Sequence, residues 1–251
     1  MVTVKLKEDI ILKNIEFRNV KFSYQTNEKV INNFNLTVNS KEKVALVGKT
    51  GSGKSTIVNL VCRFYEPISG KILINGKDIK SYKLKDLRGK IGYVMQDVTI
   101  LKYTIIDNIR YVNPNITIEE IQDIFKKLNL HDKIMSLKDN YETNIYDYPD
   151  ILSKGEKQLI SFARIMAMNP EIIILDEITS SLSYSSEMLL KNAMEQITKN
   201  KICFIIAHRL STISTCDQIL VMGNGKILEQ GNHEELLLKK GEYYKLVNKV
   251  A

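Results

Sequence analysis

Residues 47–56 read Val47-Gly48-Lys49-Thr50-Gly51-Ser52-Gly53-Lys54-Ser55-Thr56, and Gly48 to Ser55 satisfy G-x-x-x-x-G-K-[ST] at every fixed position. The short apolar run Lys43–Val47 precedes the glycines and reads as a strand. Helical spacing then starts near Lys54 and runs to about Tyr65. Strand, glycine-rich loop, helix is the context in which the pattern acquires a mechanism. Glycines let successive backbone N–H groups turn toward an anion. The first turn of the helix adds positive dipole at the same spot. Lys54 brings a full charge toward β- and γ-phosphates, and Ser55 offers a hydroxyl to Mg²⁺.

Working outward, Ile172-Ile173-Ile174-Leu175-Asp176-Glu177 is an apolar strand that ends in two carboxylates. A buried charge is costly unless it is paired or bound to metal. The carboxyl end of a strand is also where a doubly wound sheet binds its ligand. Asp176 is therefore expected to support Mg²⁺, and Glu177 to polarise an attacking water as a general base. Together these two stretches read as a P-loop NTPase that uses Mg²⁺.

The rest of the chain fits an α/β protein. Residues 12–24 and Val30–Val38 alternate like strands, Pro67 and Gly70 mark a turn, and Asn75-Gly76 marks a hairpin within 71–79. Ile91–Met95, Glu171–Leu175, Ile202–Ala207 and Gln218–Met222 read as further strands, with a short one at Lys226–Gln230. Helical periodicity dominates 99–170, broken at Pro114, Pro149 and Pro170, and returns at 187–197 and from Glu234 onward. The expected architecture is a mostly parallel, RecA-like sheet core with an antiparallel β subdomain and an inserted α-helical subdomain.

Composition narrows the class. The 251 residues are 44% hydrophobic and 26% charged, enough to fold around a core. The net charge of +7 is scattered, with no block of five or six like charges, so no nucleic-acid partner is expected. Cys62, Cys203 and Cys216 have no metal or disulfide spacing, which fits a reducing compartment. The apolar runs fall well short of the roughly 20 residues of a bilayer span. His131 and His233 have no catalytic context and read as surface residues.

Leu152-Ser153-Lys154-Gly155-Glu156 resembles the signature of ATP-binding-cassette (ABC) proteins, whose usual form is L-S-G-G-Q, and Leu159-Ile160-Ser161-Phe162-Ala163-Arg164 continues it as that family does. The resemblance covers nearly the whole chain. It implies a single ABC nucleotide-binding domain over 1–251: about 12–96 and 171–251 form the β subdomain and P-loop core, and about 97–170 the helical subdomain. It implies that Tyr24, 24 residues before Gly48, stacks on adenine, and that residues 48–56 including Thr56 bind the nucleotide. It implies that Gln96 contacts Mg²⁺ and the attacking water, and that His208 contacts the γ-phosphate. Ser153, Gly155 and Glu156 then bind the γ-phosphate of ATP held by a second domain.

Thr104-Ile105-Ile106-Asp107-Asn108-Ile109, Gly231–Leu237 and Gly241-Glu242-Tyr243-Tyr244 resemble the exporter branch. The implied partners are a transmembrane domain, fused in the full-length chain, and a second nucleotide-binding domain in a homodimer or heterodimer. The implied location is the cytoplasmic side of a cell membrane. Two alternatives stay open: a low-turnover regulatory cassette of an asymmetric heterodimer, and a soluble ABC ATPase outside transport. Lys154 and Glu156 depart from the usual signature. Ser183 stands where the D-loop usually carries aspartate, and Asp147-Tyr148-Pro149 replaces the usual Glu-x-Gly. These departures leave coupling across a dimer open.

Overall fold

A computed structural model describes residues 12–25, 30–95, 99–147, 150–176, 184–207 and 209–250. Gln96, Glu177, Ser183 and His208 lie outside the described residues, as do Tyr148 and Pro149.

The chain opens with β1 (Asn14–Phe22), β2 (Ile31–Asn39) and β3 (Lys43–Val47), followed by α1 (Lys54–Val61). Next come β4 (Ser69–Ile74), β5 (Lys77–Asp78), α2 (Leu84–Arg88) and β6 (Ile91–Val94). A helical stretch follows: α3 (Ile105–Arg110), α4 (Ile118–Lys127), α5 (His131–Met135) and α6 (Lys154–Met168). The chain then returns to alternation with β7 (Ile172–Asp176), α7 (Tyr184–Thr198), β8 (Ile202–Ile206) and α8 (Leu210–Ile213). It closes with β9 (Gln218–Gly223), β10 (Lys226–Gly231), α9 (His233–Lys239) and α10 (Glu242–Val250).

Among the described residues the strands form two sheets. One is antiparallel, in the order β2-β1-β4-β5. The other runs β10-β9-β3-β8-β7-β6, parallel from β9 to β6 with β10 antiparallel at the edge. The parallel strands are apolar on both faces, as strands covered on both sides must be. Parity sorts their side chains between two cores. Val44, Leu46, Ile172, Ile174, Phe204 and Leu220 join α1 and the antiparallel sheet. Ala45, Val47, Ile173, Leu175, Ile205 and Val221 join Leu159, Phe162, Ala163 and the other helices beyond β6.

Three sequence expectations are corrected. The first helix stops at Val61 instead of Tyr65, because Arg63 takes a left-handed φ of 50°. Arg63 N–H donates to Leu60 O (3.1 Å) and Phe64 N–H to Asn59 O (2.9 Å), a Schellman ending whose left-handed residue is arginine instead of glycine. Its guanidinium is held in turn by Tyr82 O at 2.9 Å and by Glu66. Gly70 lies inside β4 at φ 82°, where the register of β4 against β1 shifts between Arg18 and Lys21, so it marks a bulge, not a free turn. Finally, His131 and His233 are half-buried structural residues. Nδ1 of each shares a hydrogen bond with a tyrosine hydroxyl ten residues on, Tyr141 at 2.9 Å and Tyr243 at 2.7 Å.

Candidate functional site at the strand ends

The phosphate loop follows from its glycines. Gly48 has φ 142°, and a Cβ there would stand 2.3 Å from Met222 O. Gly53 caps α1 at φ 103°, and a Cβ would meet Ile31 Cδ1 at 2.7 Å. Only glycine fits both positions. Lys54 is buried in the first turn of α1, and its ammonium donates to Gly48 O (2.8 Å) and Lys49 O (3.1 Å), which draws the loop around the charge. Ser55, the next residue, is exposed. The Ser52 hydroxyl oxygen is buried with no hydrogen-bond partner, an orphan that an anion at the loop would satisfy. The loop is tied down from behind. Gly225 N–H, in the β9–β10 turn, donates to Ser52 O at 3.2 Å, and Gly225 O accepts from Asn32 N–H at 3.0 Å.

Asp176 ends β7 at the same edge of the sheet. β8 separates β7 from β3, so the acidic strand end and the phosphate loop belong to strands two apart. Asp176 shares parity with Ile172 and Ile174 and therefore lies on the α1 side of the sheet. Tyr93, on β6 opposite Ile174, donates its hydroxyl to Asp176 Oδ2 at 3.0 Å. Burial and the neighbouring Asp176 charge push the Tyr93 phenol well above its ordinary range, so it stays a donor.

Tyr24 stands beside this loop, 47% exposed. Its hydroxyl meets Thr56 Oγ1 at 3.1 Å. Its ring meets Phe22 and Tyr65 edge to face, at centroid distances of 4.9 and 5.0 Å. Thr56 itself is buried, and its hydroxyl holds the tyrosine.

The signature segment is a helix start. Ser153 caps α6: its Oγ accepts from Glu156 N–H (3.2 Å), and Glu156 Oε2 accepts from Ser153 N–H (2.7 Å). This reciprocal pair is a capping box. Gly155 is buried, while Ser153 and Lys154 are exposed, so the helix end is open to solvent on one side.

Two residues that the sequence reading quoted only within family-like stretches, with no role of their own, organise the ground between these parts. Asn108 is fully buried. Its Nδ2 reaches Leu101 O (3.3 Å), Tyr103 O (3.2 Å) and Thr104 O (2.8 Å), and its Oδ1 accepts from Leu101 N–H at 3.0 Å. Arg164, on α6, bonds Asn108 Oδ1, Asn108 O (3.1 Å) and Thr99 O (2.6 Å). Burial lowers the Arg164 pKa from its ordinary value. Thr99 lies three positions after Gln96, so α6 is bonded to the segment that leaves it. A polar residue recurring inside an apolar helical pattern, Asn108 between Ile106 and Ile109, was the available signal.

The profile of the family described as ABC transporter matches residues 31–180. This chain belongs to the ABC transporter family. An ATP-dependent lipid A-core flippase of Syntrophus aciditrophicus is 44% identical over 236 residues, which is 94% of this chain and 39% of the flippase. A fatty acid ABC transporter ATP-binding/permease protein of Mycobacterium bovis is 43% identical over 232 residues, 92% of this chain and 37% of the relative. A bacterial Atm1-family ABC exporter solved with ATP bound superposes with a TM-score of 0.88 at 35% identity, covering 96% of this chain and 42% of the exporter. The chain thus spans about two fifths of the length of these ABC relatives. The ABC assignment carries the P-loop fold and nucleotide binding with it. Of the residues expected to serve that nucleotide, the structure brings Lys54, Ser55, Tyr24 and Asp176 to one side of the parallel sheet. Among the described residues no helix is long and apolar enough to cross a membrane.

Arg209, which follows His208, pairs with Glu187 on α7 and holds the Glu187 carboxyl below its usual range. The pair is too exposed to stabilise the ABC fold much. Its geometric effect is to join α7 to the segment after β8.

Proposed function

We propose that this chain is the ATP-hydrolysing motor of a membrane exporter. The observation that carries the reading is the meeting, at one edge of a parallel sheet, of a glycine-built anion loop, the Lys54 ammonium and the Asp176 carboxylate. The named relatives support the export role: one is an ATP-dependent lipid A-core flippase, one a fatty acid transporter ATP-binding/permease protein and one an ABC exporter.

Magnesium fits the donor set. Among the described residues no group of three or more His, Cys, Asp or Glu side chains gathers to hold a metal. Mg²⁺ needs no such cage, because it binds through one or two protein oxygens plus substrate phosphates and water. Ser55, Asp176 and Gln96 would hold it, and it would supply positive charge to the phosphates. Lys54 then offsets charge on the γ-phosphate, Tyr24 stacks on adenine, Glu177 takes a proton from the attacking water, and His208 orients the γ-phosphate. The remaining loop residues, from Gly48 to Thr56, cradle the phosphates through their backbone.

Ser153, Gly155 and Glu156 would cover the γ-phosphate of ATP held by a second cassette. The exposed, capped start of α6 supports this, because a helix N-terminus is an anion site. Helices α3–α6 make up the helical subdomain and would face the fused transmembrane part, on the cytoplasmic side. The ATP state gains contacts in the closed pair that the ADP state lacks, which is what lets a ligand drive closure.

ATPase turnover measured against protein concentration, with Glu177→Gln alongside, tests the proposal. Turnover should rise with concentration and vanish in the variant. Turnover per protein that stays constant with concentration and is indifferent to Ser153→Ala would sink the two-cassette site.

A further inference from the structure

We propose that Tyr93 is a positioning residue for the carboxylate of Asp176, setting the affinity of the nucleotide site for a divalent cation. The inference rests on the reading of Asp176 as the cation-supporting carboxylate.

Strand register builds the contact. Tyr93 pairs with Ile174 across parallel strands, and Asp176 lies two residues further along β7 on the same face. A tyrosine leaning along β6 therefore reaches the carboxylate, and it does so at 3.0 Å. The strand below Asp176 is closed to water: Ile172, Ile173 and Ile174 are fully buried and Leu175 is 1% exposed. A carboxylate there depends on protein partners to fix its orientation. The phenol suits the task because its ring has two torsions and packs against the core beneath α1. Carboxylates that bind metal are commonly held by an outer hydrogen bond, and loss of such a partner costs about 10–100-fold in metal affinity. The Tyr93 hydroxyl is given to Asp176 Oδ2. Its effect passes through Asp176.

The experiment compares the parent chain with Tyr93→Phe and Asp176→Asn. Mn²⁺ binding is followed by electron paramagnetic resonance in the presence of a non-hydrolysable ATP analogue. Binding of the same analogue in EDTA is measured by calorimetry, and melting temperature is recorded for each variant. Tyr93→Phe should weaken Mn²⁺ binding about tenfold, at the lower end of such effects, while metal-free analogue binding stays within about twofold. Asp176→Asn should weaken Mn²⁺ binding at least as much. If Asp176→Asn weakens Mn²⁺ binding and Tyr93→Phe does not, the positioning role is overturned and the site reading stands. If neither variant changes Mn²⁺ binding, the assignment of Asp176 fails first. Equal losses with and without metal, accompanied by a lowered melting temperature, would show Tyr93 to be only a packing residue and also overturn the proposal.

Discussion

Replacing Asn108 by alanine should cost this chain more stability than most single substitutions. The side chain is fully buried and engages Leu101, Tyr103, Thr104 and Arg164 at once. Its removal leaves one backbone N–H, three carbonyls and a guanidinium N–H without that partner. Residues 102 and 103 are exposed, so water can reach part of this set by local opening. The Arg164 side recovers least, whereas Thr104 O keeps its bond from the Asn108 backbone N–H at 3.0 Å. An unmade buried hydrogen bond costs about 1–3 kcal/mol, with bonds to charged groups near the upper end. A loss of about 3 kcal/mol follows. A chain of this size loses about 2–4 °C of melting temperature per kcal/mol, so the midpoint should drop by about 6–12 °C. Scanning calorimetry on Asn108→Ala, Arg164→Ala and the double variant provides the measurement. The two residues share bonds, so the double variant should be more stable than the sum of the singles implies, with a coupling of at least about 1 kcal/mol. A single-variant midpoint within 2 °C of the parent (roughly the shift of under 1 kcal/mol), or strictly additive losses, would refute the network.

Gly48→Ala should abolish nucleotide binding in equilibrium titration while the core strands still fold, because φ 142° and the Met222 carbonyl leave no room for a Cβ. Tyr24→Ala should weaken ATP about 5–150-fold, from the roughly 1–3 kcal/mol of base–aromatic stacking, and leave inorganic triphosphate binding unchanged in the same calorimeter. Glu156→Gln should keep the capping box and Glu156→Ala should lose one of its two bonds, lowering stability by about 1 kcal/mol in urea unfolding. Cys62, Cys203 and Cys216 are buried, and burial pushes each thiol from 9.0 up to about 12. Their pKa values are raised in the folded state, so their contribution is fully present below pH 9 and is lost as pH rises from 9 toward 12. Unfolding free energy should therefore fall above pH 9, and none of the three thiols should react rapidly with Ellman's reagent at pH 8 until the chain unfolds.

The parallel core and the phosphate loop were legible because their signals are local. A strand whose every residue is apolar has to be buried on both faces, and Ile172–Leu175 is. The glycine pattern encodes its own backbone angles. Arg63 was illegible for the opposite reason. Its left-handed turn is supported by Tyr82 and Glu66, and Tyr82 lies 19 positions away in the chain. Tyr93 looked like one more strand aromatic until the register with β7 put Asp176 within its reach. Asn108 and Arg164 are 56 positions apart and meet only through the packing of α3 on α6. The capping box at Ser153 and Glu156 could have been read directly from S-x-x-E, but the family signature drew the same residues into a ligand role first. The two roles use the same atoms: the serine hydroxyl that closes the helix is the one expected to meet phosphate.

The turn at Gly225 carries a mechanical consequence. One residue there reaches Ser52 of the loop through its N–H and Asn32 of the antiparallel sheet through its carbonyl. The phosphate cradle is thereby riveted to both sheets, so any stroke driven by ATP has to swing on other joints while this corner serves as the fixed anvil.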